Sequence, residues 1–216
     1  MPETNDALEV TVTAPVVSFR NPLYAGIQVG LPCPPPSTVG GLLAACAGTW
    51  DHVPHETRFA MAFHAEGKGT DLETYHPLAA KATNANITIK DRDFLTDTTL
   101  TLWLTTDLEL WEAVIRRPVW PLRLGRSQDL ATARTRRVRL TTGPGIQGRA
   151  VVPADLAKSG TLLQLPTAIA ADRARTRWVT YRYASAGTTA QISTGLATPD
   201  GQAVVLLPAT HPAHAA

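Results

Sequence analysis

Arginine dominates the side chains able to do chemistry here. Sixteen arginines stand against four lysines, a usage that favours sites needing a planar fork over sites needing a point charge. Nine of them fall between Arg116 and Arg149, where Asp129 is the only acid, so a local surplus of eight positive charges sits in a chain of formal net charge +2. Such a surplus points to an anionic partner. Inside it, "RLGRSQD" (123–129) sets Arg126 and Ser127 on a glycine turn. Guanidinium, hydroxyl and backbone amides together can hold a phosphate there, or Arg126 can simply pair with Asp129 in a surface turn. Arg134, Arg136 and Arg137 follow and, on charge alone, are further candidates to meet that anionic partner.

The other reactive residues are thin. The histidines are His52, His55, His64, His76, His211 and His214, and "DHVPHE" has a metal-like spacing. Pro54 prevents a regular helix from presenting both rings, and no Cys or carboxylate cluster completes four ligands, so no metal and no cofactor is expected. His52, His55 and His64 stay open as acid–base residues. Cys33 and Cys46, the only cysteines, give no disulfide framework and are expected to be reduced thiols. Nucleophile-elbow, Walker and dinucleotide fingerprints are all missing.

The elements that must position these groups follow from periodicity. Residues 8–19, β-branched and partly alternating, and 57–65, which alternate, read as strands; "NITIKDRDFL" and "TTLTLWLTTD" have strand character, and "VWPLRLG" reads as a strand running into a glycine turn. "DLELWEAVIRRP" has the acidic start, apolar stripe and basic end of an amphipathic helix. Between the first two strands, "LPCPPPSTVGGLLAACAG" (31–48) sets four prolines against a small-residue helix. Ser37 or Thr38 is expected to cap it and Gly48 to stop it. A helix start with Gly40 and Gly41 on its first turn, and Arg20 upstream, is either an ordinary cap or a phosphate site. Residues 66–86 turn polar and read as a long excursion, a hairpin arm.

The predicted order strand–helix–strand–strand–helix–strand is that of the split βαβ, or ferredoxin-like, fold. The expectation is therefore α+β, with a ferredoxin-like domain over 1–129 and its arm at 66–86. A small mainly-β domain is expected over 130–208, and a frayed tail over 209–216. The aromatic stacking pattern of ordinary RNA-recognition sheets is lacking; if this fold binds RNA, it does so by loops and basic edges.

Three segments carry a resemblance. "FRNP…PCPPPSTVGGLLAACAG" is similar to the proline–Ser/Thr–glycine segment of the fifth CRISPR-associated protein family, the small RAMP subunit of type I Cascade complexes. "IKDRDFLTD", with Arg92, resembles that family's "REFL"-like strand, and "LRLGRSQDL" its "LGRSE"-like turn. The resemblance implies an RNA-binding assembly subunit that caps the 5′ handle of the CRISPR RNA. It also implies contact with the backbone subunit and the large subunit, close to target DNA at the PAM-proximal end. By position, Ser37, Thr38, Gly40 and Gly41 would receive handle phosphates, and Arg126 and Ser127 a second stretch of handle. Lys68, Thr70, Lys81 and Asn84 would belong to the thumb. Pro36 stands where the family often has Lys or Arg, and no Gln-Ser-Trp-Gly-like sequence follows Phe19, which points to a type I-B-like or related system.

Some branches of that family cut precursor RNA with a Tyr, His and Lys set, for which Tyr24, His64 and Lys68 are the residues to test here. The leading reading is a non-catalytic subunit. A metal-independent endoribonuclease is the alternative, and an unrelated ferredoxin-like ligand-binding protein the third. An N-terminus with Glu3, Asp6 and Glu9 and no basic residue is unlike a secretory signal, and no apolar run spans a membrane. A cytoplasmic protein without membrane contact is expected.

Overall fold

Alternating apolar residues build the central sheet of the computed structural model, which describes residues 4–24, 29–75 and 88–215. Strands β1 (Thr4–Val17), β2 (Phe59–Tyr75) and β3 (Thr88–Leu104) run antiparallel with β3 in the middle. Their register aligns Leu8, Leu104 and Phe59 in one row, Val10, Leu102 and Met61 in the next, and Val12, Leu100 and Phe63 in a third. All nine side chains are buried. Helices α1 (Pro36–Ala47) and α2 (Leu108–Arg116) bring Val39, Leu42, Leu43, Trp111 and Ile115 into the same cluster. Burying such a side chain contributes roughly 1.5–3 kcal/mol, so these rows anchor everything that follows.

The proline ramp explains the start of α1. Pro35 takes the N-cap position and Pro36 the first turn, with no side-chain cap from Ser37 or Thr38. The capping expected of those two residues is therefore corrected. Proline at the first helical position lacks an N–H that would be unpaired anyway, and its fixed φ suits the helix. Gly48 ends α1 with φ 100°, as expected.

"VWPLRLG" is not a strand. Pro118 and Pro121 have no N–H to give a ladder, and the intervening N–H groups serve α1 instead. Val119 N donates to Cys46 O (3.2 Å), Trp120 N to Ala45 O (3.2 Å) and Trp120 Nε1 to Gly48 O (2.8 Å). Those carbonyls end a helix and have no intrahelical partner. The strand that completes the sheet is β4 (Thr132–Thr142), paired antiparallel to β1 from Thr4↔Thr141 to Thr13↔Thr132. Residues 132–142 thus belong to the main sheet and do not open a separate unit at 130.

The expected arm is a β-hairpin continuous with the core strands. β2 and β3 keep one register from Phe59↔Leu104 out to Tyr75↔Thr88. Two glycines in β2 make room for partners across the ladder. A Cβ on Gly69 would stand 2.5 Å from the Phe94 ring, and one on Gly67 2.6 Å from Thr96 Oγ1. Lys81, Asn84 and His76 lie outside the described residues.

Most of the later strands are short, as their turn-punctuated sequence predicts, with Thr161–Ile169 and Thr176–Tyr183 the longer two. They are β5 (Gly145–Ile146), β6 (Val152–Pro153), β7 (Thr161–Ile169), β8 (Thr176–Tyr183), β9 (Gln191–Ile192), β10 (Leu196–Ala197) and β11 (Ala203–Val204). Among the described residues, β10 and β11 extend the main sheet to the order β11–β10–β4–β1–β3–β2, β6–β8–β7 form a second sheet, and β5 pairs with β9. Val151, Leu165, Tyr181, Tyr183 and Leu207 join the same core cluster as α1 and β1.

The tail is docked where fraying was expected. Ala209, Thr210 and Ala215 are buried, and a Cβ on Gly40 would lie 2.9 Å from Thr210 Cβ. The His211 ring stacks on His55 with centroids 4.1 Å apart and meets Trp50 edge-on.

Candidate nucleic-acid interface

The arginine run on β4 is divided between the two faces of the sheet, because side chains alternate along a strand. On the helix face, Arg137 reaches Glu112 (2.7 Å) and Glu109 (3.3 Å) of α2. On the other face, Arg136 Nε donates to Glu9 Oε1 (2.7 Å), while Trp103 Nε1 donates to the second Glu9 oxygen. Arg139 stands 3.7 Å from Asp6. Arg134 alone in this run makes no ion pair with a described residue. Three of the four arginines on β4 are thus answered by acids from β1 and α2, and an exposed pair such as Arg139–Asp6 adds little to stability.

Arg126 has a similar fate. Its Nε and Nη2 donate to Asp129 Oδ2 (2.9 Å) and Oδ1 (2.7 Å), and its backbone N to Oδ2 (2.9 Å). Asp129 is 3% exposed and also accepts from Ser18 N (3.1 Å). The carboxylate therefore ties the 125–129 turn to β1. Ser127 is exposed and donates to Gln128. Arg92 pairs with Asp71 and with Glu73 (3.1 Å) across the arm, and its side chain is 11% exposed. Arg20 is exposed and bridges Gly30 through its backbone.

The two glycines of α1 part company. Gly40 is buried against the tail, while around Gly41 nothing lies within 4 Å of a Cβ position. Thr38 and Gly41 face a groove of about 470 Å³ whose other wall is Trp120, Pro121, Arg123 and Gly125. This joins the proline–glycine segment to the glycine turn, two stretches separated by about eighty residues in sequence. Ser37 is half-buried and does not line the groove. Trp120 and Arg123, absent from the sequence-based site, enter it only because 119–120 caps α1.

At the base of the arm, Lys68 and Thr70 line a second groove of about 410 Å³ with Phe19, Leu31 and Asp93. Asp93 organises it, accepting from Thr70 Oγ1 (3.1 Å) and Gly30 N (3.4 Å), while its carbonyl accepts from Ser18 Oγ (2.7 Å). His64 lies in a third groove, of about 380 Å³, with Glu9, Thr99, Thr101, Arg149 and Asp200, and its Nε2 is 2.8 Å from Glu66. Tyr24 is half exposed, and no hydrogen bond or ion pair joins it to His64 or Lys68 among the described residues.

No group of three or more His, Cys, Asp or Glu residues suited to a metal occurs among the described residues. Both cysteines are free and buried; burial pushes the Cys46 thiol up to about 12 and raises Cys33 as well, so both are protonated thiols. No described helix is long and apolar enough to cross a membrane.

Among solved structures the chain is similar to one titled "CRISPR RNA-guided surveillance complex", at 17% identity and TM-score 0.55, covering 97% of this chain and 92% of that one. It is also similar to a CRISPR protein from Archaeoglobus fulgidus, at 14% identity and TM-score 0.52, over 94% and 99% of the two chains. A chain of the Type III-B Cmr-beta complex bound to cognate target RNA and AMPPnP matches at 9% identity and TM-score 0.51, over 83% and 84%. At these identities the likeness is one of fold. No curated protein matches the sequence. The family model described as CRISPR-associated protein (Cas_Cas5) matches residues 7–194, and with that match over most of its length the chain belongs to the Cas5 family of CRISPR-associated proteins.

Proposed function

We propose that this chain is the CRISPR-RNA-binding subunit of a Cascade-type surveillance complex, holding the 5′ handle of the RNA. The observation that carries the reading is the family membership together with the convergence of Thr38, Gly41 and the 120–125 segment on one groove. The two similar structures titled as surveillance or Cmr complexes support it at the level of fold. The core is a ferredoxin-like RAMP domain, for which the order β4–β1–β3–β2 with two helices on one face is the support. Its arm at 66–75 and 88–96 is the thumb, the later short strands form the small β portion, and backbone subunit, large subunit and PAM-proximal target DNA are the neighbours. The complex works in the cytoplasm.

The role is binding and not cleavage. Supporting this, His64 and Lys68 line different grooves and Tyr24 lines neither. The test is titration of the purified protein with labelled repeat-derived 5′-handle RNA and with a scrambled RNA across a salt series, in EDTA. Handle-preferring binding whose affinity falls linearly with log salt, without cleavage, is the expected result. Cleavage abolished by His64→Ala would make it an endoribonuclease. Binding to neither RNA, alone or with its partner subunits, would overturn the reading.

A further inference from the structure

Of the grooves above, the one between α1 and residues 120–125 is the one that no carboxylate lines; the second contains Asp93, and the third Glu9 and Asp200. Its cation, Arg123, is exposed and has no ion pair with a described residue. Trp120 is 58% exposed yet fixed at both ends, since its backbone N and its Nε1 each donate to a carbonyl at the end of α1. The opposite wall is kept low by Gly41, where the space beyond the backbone is empty, and by Ala45 and Thr38.

We propose that this groove receives one nucleobase of single-stranded RNA, stacked on Trp120, with Arg123 at the adjoining phosphate. The inference rests on the RNA-binding reading above and adds the residues that would read a position of the strand. A held, solvent-facing indole is a stacking platform that requires no ordering when the base arrives. An unpaired guanidinium beside it supplies the charge that a phosphate needs, and the absence of carboxylates leaves nothing to repel it. The volume lies within the range of clefts that enclose small ligands. An apolar protein anchor would have to cover Arg123 without a counter-ion, which the groove does not provide.

The experiment uses the full-length protein, a labelled single-stranded handle RNA, and versions of that RNA made abasic at one position at a time. Trp120→Ala should weaken binding by roughly tenfold or more with the salt dependence unchanged. Arg123→Ala should lower the log–log salt slope by about 0.7. Gly41→Leu fills the groove without touching the bonds that hold Trp120, and should match Trp120→Ala while the protein stays folded by circular dichroism. One abasic position should cost the wild type affinity and cost Trp120→Ala none. If the wild type binds RNA and Trp120→Ala and Gly41→Leu bind it as tightly, this subsite is wrong and the RNA-binding reading stands. If those variants keep RNA but lose co-purifying subunits, the groove docks protein and the proposal falls. If the wild type binds no RNA alone or in the complex, both readings fall together.

Discussion

Gly40 and Gly41 are neighbours in one helix, but alanine should act on them with opposite signs. Replacing glycine by alanine inside a helix stabilises by about 1 kcal/mol. At Gly41 nothing opposes that gain, because no atom lies within 4 Å of the new methyl. At Gly40 the methyl would stand 2.9 Å from Thr210 Cβ and 3.1 Å from Trp50 Cη2. Thr210 is 5% exposed, short and β-branched, so it cannot swing aside as a long side chain would. Overpacking of this kind costs about 1–3 kcal/mol, which outweighs the helical gain. For a protein of this size 1 kcal/mol corresponds to about 2–4 °C in Tm. Gly41→Ala should therefore raise Tm by about that much, and Gly40→Ala should lower it by a similar amount. Adding Thr210→Ala to Gly40→Ala should recover most of the difference, as coupled neighbours do. Thermal unfolding followed by circular dichroism reads all of these. Equal stabilisation by both single variants would refute the docking of the tail on α1 and reopen Gly40 as a site residue.

Asp129→Ala removes four hydrogen bonds and leaves the Arg126 guanidinium, 19% exposed, without its partner; urea unfolding should show a loss of about 3–5 kcal/mol. Tyr183→Phe deletes the buried hydrogen bond to Phe63 O (3.0 Å) that ties β8 to β2, and should cost about 1–2 kcal/mol in the same assay with little change in m-value. His211 is held below its ordinary value by burial and by the nearby His55 and His214, against the raising effect of the Trp50 carbonyl. Its folded form favours the neutral ring, whose Nδ1 accepts from Ala213 N, so its contribution is complete above about pH 6.5 and is lost as pH falls below that. His211→Gln should shrink the drop in urea midpoint between pH 7.5 and pH 5; an unchanged drop would show that the other histidines account for it.

Much of the architecture is legible from residue types. Leu8, Val10 and Val12 alternate with Glu9 and Thr11, and Leu100, Leu102 and Leu104 with Thr101 and Trp103, and that period of two places the six on one buried face. The β2 half of the arm is readable as an excursion but not as a ladder, because its glycines and charged residues show no apolar alternation; Gly69 under Phe94 is a pairing only register reveals. "VWPLRLG" has strand-like composition, and only the fold shows its N–H groups turned to the carbonyls of α1. The arginine run misleads for a different reason. Glu9 lies 127 residues from Arg136, so a window of sequence counts the charges without their partners. For the candidate site, the motifs identify Thr38 and Gly41, while Trp120 and Arg123 depend on a juxtaposition that no local pattern encodes.

Residues far apart in the chain complete the core. Arg58 Nε donates to Leu207 O (2.9 Å) across 149 residues, Leu207 N donates back to Phe59 O (2.9 Å), and β1 pairs with β4 along most of its length. Loop closures of that span must be met before the contacts that reward them form, so folding should be slow for the protein's size and limited by topology. Until residues 206–215 dock, the start of β2 lacks its partner at Leu207 and α1 keeps an uncovered glycine, the kind of transient surface that invites aggregation. Expression yield should then respond more to temperature during synthesis, and to the company of other subunits, than equilibrium stability alone would suggest.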